Sequence, residues 1–209
     1  MANFQMLATE SVPQPVSRAS RREIAAIVRL LAESLSNDPL QRWLFPEDQS
    51  RLKASERLFR RLVSPRIAEG LVSVTHTESG QLASVAVWTA PHPPAPSRWE
   101  QLAESLSMRW AHGMRIHEVR EGLTALARRH PQQPYWYLMA LATAEKQRGN
   151  GHAARLLEAK INASESVGQM IALETSLAEN ISYYERFGFR TVDELQLANG
   201  PSVWLMCRD

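Results

Sequence analysis

The chain has 209 residues, 44% hydrophobic and 22% charged, a composition that supports one sizeable core and excludes a disordered polymer. A net charge of +2 is too small to attract nucleic acid or a membrane surface by itself, although a sequence pI near 8.9 leaves room for a local patch that serves an anion. The single cysteine, Cys207, excludes an internal disulfide and a thiolate metal cluster, and no apolar run approaches the length that crosses a bilayer. The opening MANFQMLATESVPQPVSRAS has no basic stretch leading into a long apolar core, so a cytoplasmic protein is expected.

Residues 1–15 read as a mobile lead-in, and 16–209 as one domain. REIAAIVRLLAESL (22–35) repeats apolar residues at helical spacing, with Ile24, Ile27, Leu31 and Leu35 on one face, Ser20 as N-cap and Asn37-Asp38-Pro39 as the stop. A second helix is expected over SRLKASERLFRRLVSP (50–65), with Leu52, Leu58, Phe59 and Leu62 inward. GLVSVTHT and QLASVAVWTA read as two strands joined by a tight turn at Glu78-Ser79-Gly80. After the breaker PHPPAP come two amphipathic helices, about 97–111 and 113–129, divided near Gly113. PYWYLMALAT is then a strand, RGNGHAARLLEAKINASESV a loop and helix, and QMIALETS a strand. AENISYYERF is helical, with Gly188 as its C-terminal cap. FRTVDELQL and SVWLMCR finish as strands joined across Asn199-Gly200-Pro201. The order implies a mixed α/β domain around one sheet.

The stretch KQRGNGHAARLLEAK (146–160) puts two glycines between a strand and a helix. Amides at a helix start lack intrahelical partners, and the helix dipole favours an anion there. Gly149 and Gly151 allow a close backbone approach, and Arg148 supplies a cation that can fork onto phosphate. The Gly-Lys-Ser/Thr ending of a P-loop and the G-x-G-x-x-G of a dinucleotide fold are both absent. Glycine turns of this kind also occur without a ligand, so the loop alone leaves both readings open.

A second piece, ENISYYERFGF (179–189), closes the question by its spacing from the first. Together they resemble the GNAT superfamily of acyl-CoA-dependent N-acetyltransferases. Its pyrophosphate loop, [Gln/Arg]-x-x-Gly-x-[Gly/Ala], is matched by Arg148-Gly149-Asn150-Gly151-His152-Ala153, and its later helix by Asn180, Tyr184, Glu185, Gly188 and Phe189. From Trp136 to Arg208 the chain is similar to the puromycin N-acetyltransferase-like branch, through LETS, NISYYERFGF and GPSVWLMCR, with looser similarity at VAVWTAP and SNDPLQRWLFPE. The resemblance implies a GNAT fold: a central, mixed, mostly antiparallel, splayed sheet flanked by helices. A two-helix insert (97–129) would precede the cofactor-binding strand and cover the acceptor cleft.

The resemblance further implies acetyl-CoA as acyl donor. Its pantetheine arm would pair with backbone groups of Leu141, Ala142 and Thr143, and its pyrophosphate would rest on amides from Gly149 through Asn150, Gly151, His152 and Ala153 to Ala154. Asn180 would bond the pantetheine arm or cap its helix. Tyr184 stands at the family's general-acid position, since a phenol with a reference pKa of about 10 can protonate the departing thiolate. Tyr183 is its control, because helical neighbours point about 100° apart. YWYLMALAT carries no acid, so the candidate base is Glu174, with support of the following loop as its other reading. If no side chain serves, an α-amine with a reference pKa near 7.7–8.0 is a readier acceptor than an alkyl amine near 10.4.

The expected activity is direct transfer in a ternary complex to the primary amine of a small molecule, such as an aminoacyl-nucleoside or other antibiotic-like or natural-product amine, by a monomer or homodimer. The alternatives are a peptide, protein or aminoacyl-tRNA acceptor, or a non-catalytic CoA-binding or RNA-binding module. The basic run Arg51, Lys53, Arg57, Arg60, Arg61 and Arg66 raises the RNA reading, but its charges are spread around the helix and mixed with Glu56, as on a solvated face. His112, His117 and His130 flank the insert without the spacing of a metal site; they read as surface histidines, with contact of one of them to the acceptor as the other reading. Trp99, Met108, Trp110 and Met114 read equally as pocket lining or as packing between two helices.

Overall fold

The computed structural model describes residues 15–92 and 115–209. The helix expected at 97–111, the break at Gly113, most of the lead-in, and Trp99, Met108, Trp110, His112 and Met114 lie outside the described residues. In chain order the elements are β1 (Ser17–Arg18), α1 (Ile24–Ser34), α2 (Pro39–Leu44), α3 (Asp48–Ala68), β2 (Val72–His76), β3 (Leu82–Thr89), α4 (Ile116–Ala127), β4 (Tyr135–Thr143), α5 (His152–Glu165), β5 (Met170–Thr175), α6 (Glu179–Glu185), β6 (Arg190–Gln196) and β7 (Ser202–Arg208). The strands form one sheet in the order β1-β2-β3-β4-β5-β7-β6. Neighbours run antiparallel except β4 and β5, whose parallel pairing is bridged by α5.

Local chemistry explains the helix starts. Ser20 and Glu23 form a reciprocal capping box ahead of α1, and α1 buries Ile27 and Leu31 completely. The Asn37-Asp38-Pro39 stretch expected to stop a helix also begins one. The Asp38 carboxylate accepts from the amides of Leu40 and Gln41, with Pro39 at the first helical position, and α2 follows. Helix α3 does not stop at Ser64-Pro65 but runs through the proline to Ala68. It buries Phe59 and Val63, whereas Leu52, expected inward, is 41% exposed. Gly122 lets α4 lie against Trp43, because a Cβ there would stand 2.7 Å from the indole ring.

Two apolar layers sandwich the sheet. On one face α1 and α3 pack Ile27, Leu31, Phe59 and Val63 onto Val74, Val85 and Val87. On the other, α5 and α6 pack Leu156, Leu157 and Tyr184 onto Trp88, Leu138, Leu173 and Met206. Each such side chain contributes about 1.5–3 kcal/mol by leaving water.

The sheet opens at one place. Strands β4 and β5 pair from Tyr135 with Met170 only as far as Leu138 with Leu173. Beyond that β4 continues to Thr143 along β3 alone, and the register between them slips so that Met139 is an extra residue between Leu138 and Ala140. A bulge of this kind bends its strand and strengthens the local twist. The carboxyl ends of the two parallel strands therefore diverge, which is where open α/β sheets offer a ligand crevice.

Candidate active site

The first wall of the crevice is the free edge of β4. The Ala144 amide donates to the opposite carbonyl of Ala83, so by antiparallel alternation Ala142 also turns its backbone groups to β3, while those of Leu141 and Thr143 turn to the gap. Of the three residues expected to offer backbone groups, Ala142 is thus misplaced for that task. The Thr143 carbonyl accepts from Ser34 at 3.3 Å.

The glycine loop caps the same end. Gly149 and Gly151 adopt φ of +81° and +75°, the left-handed region that glycine enters without a steric cost. Gly151 is the residue before α5, so the first amides of the helix, from His152 onward, lack intrahelical acceptors. A Cβ on Gly149 would meet nothing within 4 Å, so the space above the loop is open. Arg148 and Asn150 are exposed beside it. The His152 side chain turns inward, its Nδ1 3.0 Å from Thr75 Oγ1 and 2.7 Å from Arg155 Nη2, leaving only its backbone to face outward. Burial, and then Arg155, lower its pKa. Open space, left-handed glycines, unpaired amides and an exposed guanidinium suit a phosphate-like anion.

Tyr184 is 8% exposed and packs with Phe189 in the sheet's second layer, the layer that also holds Leu138 and Leu173. Burial first, then Tyr183 and Asp38, push its phenol pKa well up. Tyr183 points elsewhere, over Phe187 and under the Arg186 guanidinium. Asn180 sits inside α6 rather than at its N-cap, which is Ala178, and its amide reaches Thr175 Oγ1 at 3.4 Å. Ser176, just past β5, donates to the Asp38 carboxylate, 2.9 Å from one oxygen and 3.0 Å from the other. Burial raises the Asp38 pKa.

Glu174 does not support the following loop. Its Oε1 lies 2.7 Å from His130 Nε2, and its Oε2 accepts from the Tyr137 hydroxyl at 3.0 Å. His130 Nδ1 in turn lies 2.6 Å from the Tyr135 hydroxyl. The Glu174 and His130 side chains are 13% and 14% exposed. His130, expected at the surface, is thus half of a part-buried pair. Its partnership and that of Asp38 join segments distant along the chain and leave no mark in a local pattern. The one sequence signal for Asp38 is the helix-start pattern Asp-Pro, which also fits a helix stop.

Among the described residues no cluster of three or more His, Cys, Asp or Glu is arranged to hold a metal, and no helix is long and apolar enough to cross a membrane. Two of the six residues in the basic run, Arg51 and Arg66, turn inward onto carbonyl oxygens of Phe45 and Leu62.

A family model described as an acetyltransferase (GNAT) domain matches residues 98–207. A curated N-acetyltransferase of Schizosaccharomyces pombe is 24% identical over 184 residues, covering 82% of this chain and 72% of that protein. A structure described as histone acetyltransferase HPA2 and related acetyltransferase, from Corynebacterium glutamicum, superposes with a TM-score of 0.70 at 21% identity over 94% of this chain and 96% of its own. The polyamine N-acetyltransferase of Drosophila melanogaster, which forms N-acetylagmatine, gives 0.63 at 18% identity over 92% and 98%. Both solved structures share the splayed-sheet architecture described above.

Proposed function

The chain belongs to the GNAT acetyltransferase family and is an N-acetyltransferase, and we propose that it moves the acetyl group of acetyl-CoA directly to the primary amine of a small molecule. The observation that carries this reading is the crevice itself. The divergence of β4 and β5 beyond Leu138 and Leu173 meets a left-handed glycine loop at one end, and Tyr184 belongs to the apolar layer that includes both of those residues.

The roles follow from chemistry. Amides of the 149–154 loop and Arg148 hold the pyrophosphate, and the gap-facing backbone groups of Leu141 and Thr143 pair with the amide-bearing arm as an added strand would. Asn180 borders that arm. When the amine attacks the thioester, the carbon–sulfur bond breaks and the thiolate takes the Tyr184 proton. Desolvation keeps that phenol protonated at neutral pH, and the same desolvation makes a buried thiolate a stronger base, so the transfer stays matched. Asp38 beside Tyr184 adds to the phenol's hold on its proton. Its Oδ1 accepts from two amides at the start of α2, and Ser176 bonds the same carboxylate, which suits a cap rather than a base. Glu174, one residue past the last position at which β5 pairs with β4 and bonded to His130 and Tyr137, belongs to the group of side chains that handles the proton of the incoming ammonium.

The acceptor we favour is an antibiotic-like or natural-product amine, on the strength of the LETS, NISYYERFGF and GPSVWLMCR segments shared with the puromycin N-acetyltransferase-like branch. Structural relatives named for polyamine and agmatine acetylation support a small amine. Residues 16–209 form one acyltransferase domain in this reading, with 97–129 over the acceptor cleft. Incubating the protein with acetyl-CoA and a panel of amines that includes puromycin and agmatine, and following released thiol, tests it. Thiol release that depends on a small amine is expected. Release with protein substrates alone would overturn it.

A further inference from the structure

Glu174 is not alone in the site, and its surroundings assign the proton more closely. This inference rests on the acyl-transfer reading above. Four side chains from three segments form one hydrogen-bonded line: Tyr135, His130, Glu174 and Tyr137. The links are 2.6 Å, 2.7 Å and 3.0 Å. The rings are in mutual contact as well, with His130 edge-on to Tyr137 at 4.9 Å between centroids. None of these contacts is needed to complete a helix or strand, and burying a carboxylate beside an imidazole carries a desolvation cost that packing alone would avoid.

The direction of the line follows from donor chemistry. An ionised carboxylate only accepts, so the hydrogen between His130 and Glu174 belongs to Nε2. Nδ1 of the neutral ring is then the acceptor, and the Tyr135 hydroxyl donates to it. The Tyr137 hydroxyl donates to the other Glu174 oxygen, which holds the carboxylate in place. A carboxylate that fixes one imidazole nitrogen and leaves the other to receive a proton through a hydroxyl is the base-and-orienter arrangement of hydrolytic triads. Tyr135 ends the line and is less buried than Tyr137.

We propose that His130 is the proton acceptor of the reaction and acts through the Tyr135 hydroxyl, with Glu174 as its orienting counter-charge. The bound ammonium gives a proton to the Tyr135 oxygen as the Tyr135 hydroxyl proton passes to His130 Nδ1. The freed amine forms the carbon–nitrogen bond, the carbon–sulfur bond breaks, the thiolate takes its proton from Tyr184, and the second proton, shed as the acylated nitrogen becomes a neutral amide, restores the Tyr184 phenol. The imidazolium, paired with Glu174, afterwards returns its proton to solvent through Tyr135. Groups that bear on its titration are Glu174 from β5, Tyr135 and Tyr137 from β4, and, one shell out, Cys207 from β7 against Tyr135 and Arg66 from α3 against Tyr137.

A built proton acceptor also defines the acceptor class. An α-amine near pKa 8 is partly neutral at pH 7, but an alkyl amine near 10.4 is neutral in only about one molecule in 2,500. The line of side chains is therefore of most use to strongly basic alkyl amines, and the site is built to take them.

The test compares His130→Gln, Glu174→Gln and the unaltered chain on two acceptors, an alkyl amine and an α-amine. His130→Gln should lower kcat/KM for the alkyl amine by roughly 10²-fold at pH 7, within the range of positioned acid–base groups, and by much less for the α-amine. The deficit should shrink as pH rises and the free amine accumulates, and His130→Ala should regain rate with added imidazole. Glu174→Gln should keep the acidic limb of the pH–rate profile but move it to lower pH, because the imidazolium loses its counter-charge. A Glu174→Gln profile with no acidic limb, while His130→Gln keeps one, makes the carboxylate the base and overturns the proposal. Equal losses on both acceptors, without imidazole rescue, mean that His130 is only structural and also overturn it. Failure of the acyl-transfer reading itself looks different: the unaltered chain would release no thiol from acetyl-CoA with either amine.

Discussion

Replacing Gly151 by valine puts a β-branched residue at φ +75°, where a Cβ meets only the Arg155 guanidinium, at 3.8 Å. The substitution is therefore strained by backbone conformation and hardly by crowding. A residue held in this region costs on the order of 1–3 kcal/mol. For a chain of this length each kcal/mol lowers Tm by about 2–4 °C, so a drop of roughly 2–12 °C is expected and the fold survives. Gly80 supplies a matched control, at φ +78° in the β2–β3 turn with nothing within 4 Å of its Cβ. Gly80→Val should lower Tm to a similar extent. The two should separate in ligand binding. Relief of strain at Gly151 displaces the amides that face the anion, and loss of two hydrogen bonds to a charged group, at about 1.5–3 kcal/mol each, weakens acetyl-CoA binding by at least a hundredfold. Titration calorimetry of both variants decides the matter. Equal acetyl-CoA affinity in Gly151→Val and Gly80→Val would refute the placement of the anion at this loop.

Three further outcomes follow from the same structure. Gly188→Ala, at φ +79°, places a Cβ on the Arg208 guanidinium, which bonds the Phe187 carbonyl and Glu165; it should lower Tm by several degrees while acetyl-CoA affinity, read by calorimetry, stays within about threefold, or roughly 0.6 kcal/mol. The folded-state pKa of Asp38 is raised, so its contribution to stability is complete below the unfolded carboxylate value near 3.9 and is lost as pH rises through the folded value; Asp38→Asn should flatten the stability–pH curve above pH 4 in denaturant melts, and an unchanged slope would contradict this. Filter binding of tRNA at physiological salt should show no tight complex, since two cations of the basic run are turned inward; a tight complex that weakens steeply with salt would favour an aminoacyl-tRNA acceptor.

What could be seen in the sequence was what short-range backbone chemistry controls. The strand–glycine–helix order around Gly149 and Gly151, the Ser20 cap and the terminal hairpin at Asn199 all stand where the local pattern put them. Patterns failed where one residue serves two neighbours. Asp38-Pro39 stops one helix and caps the next, and Pro65 lies within a helix held by Val63 and Ile67 on its buried face. The amphipathic stripe of α3 is shallow, so Leu52 was placed inward on spacing alone and stands in solvent. The side-chain partnerships of the site were out of reach. His130 meets Glu174 across 44 residues and Asp38 meets Ser176 across 138; the tertiary fold, not a local pattern, brings each pair together.

If Tyr184 hands its proton to the departing thiolate, as proposed above, single-turnover transfer by Tyr184→Phe is the measurement that must change. The ring is packed against Phe189, so removing only the hydroxyl preserves the fold and acetyl-CoA affinity. Rapid-quench measurement with acetyl-CoA-loaded enzyme isolates the chemical step from product release. The account expects the rate to fall by roughly 10²–10⁴-fold in Tyr184→Phe and to change little in Tyr183→Phe. A Tyr184→Phe enzyme that transfers acetyl at the full single-turnover rate would contradict it.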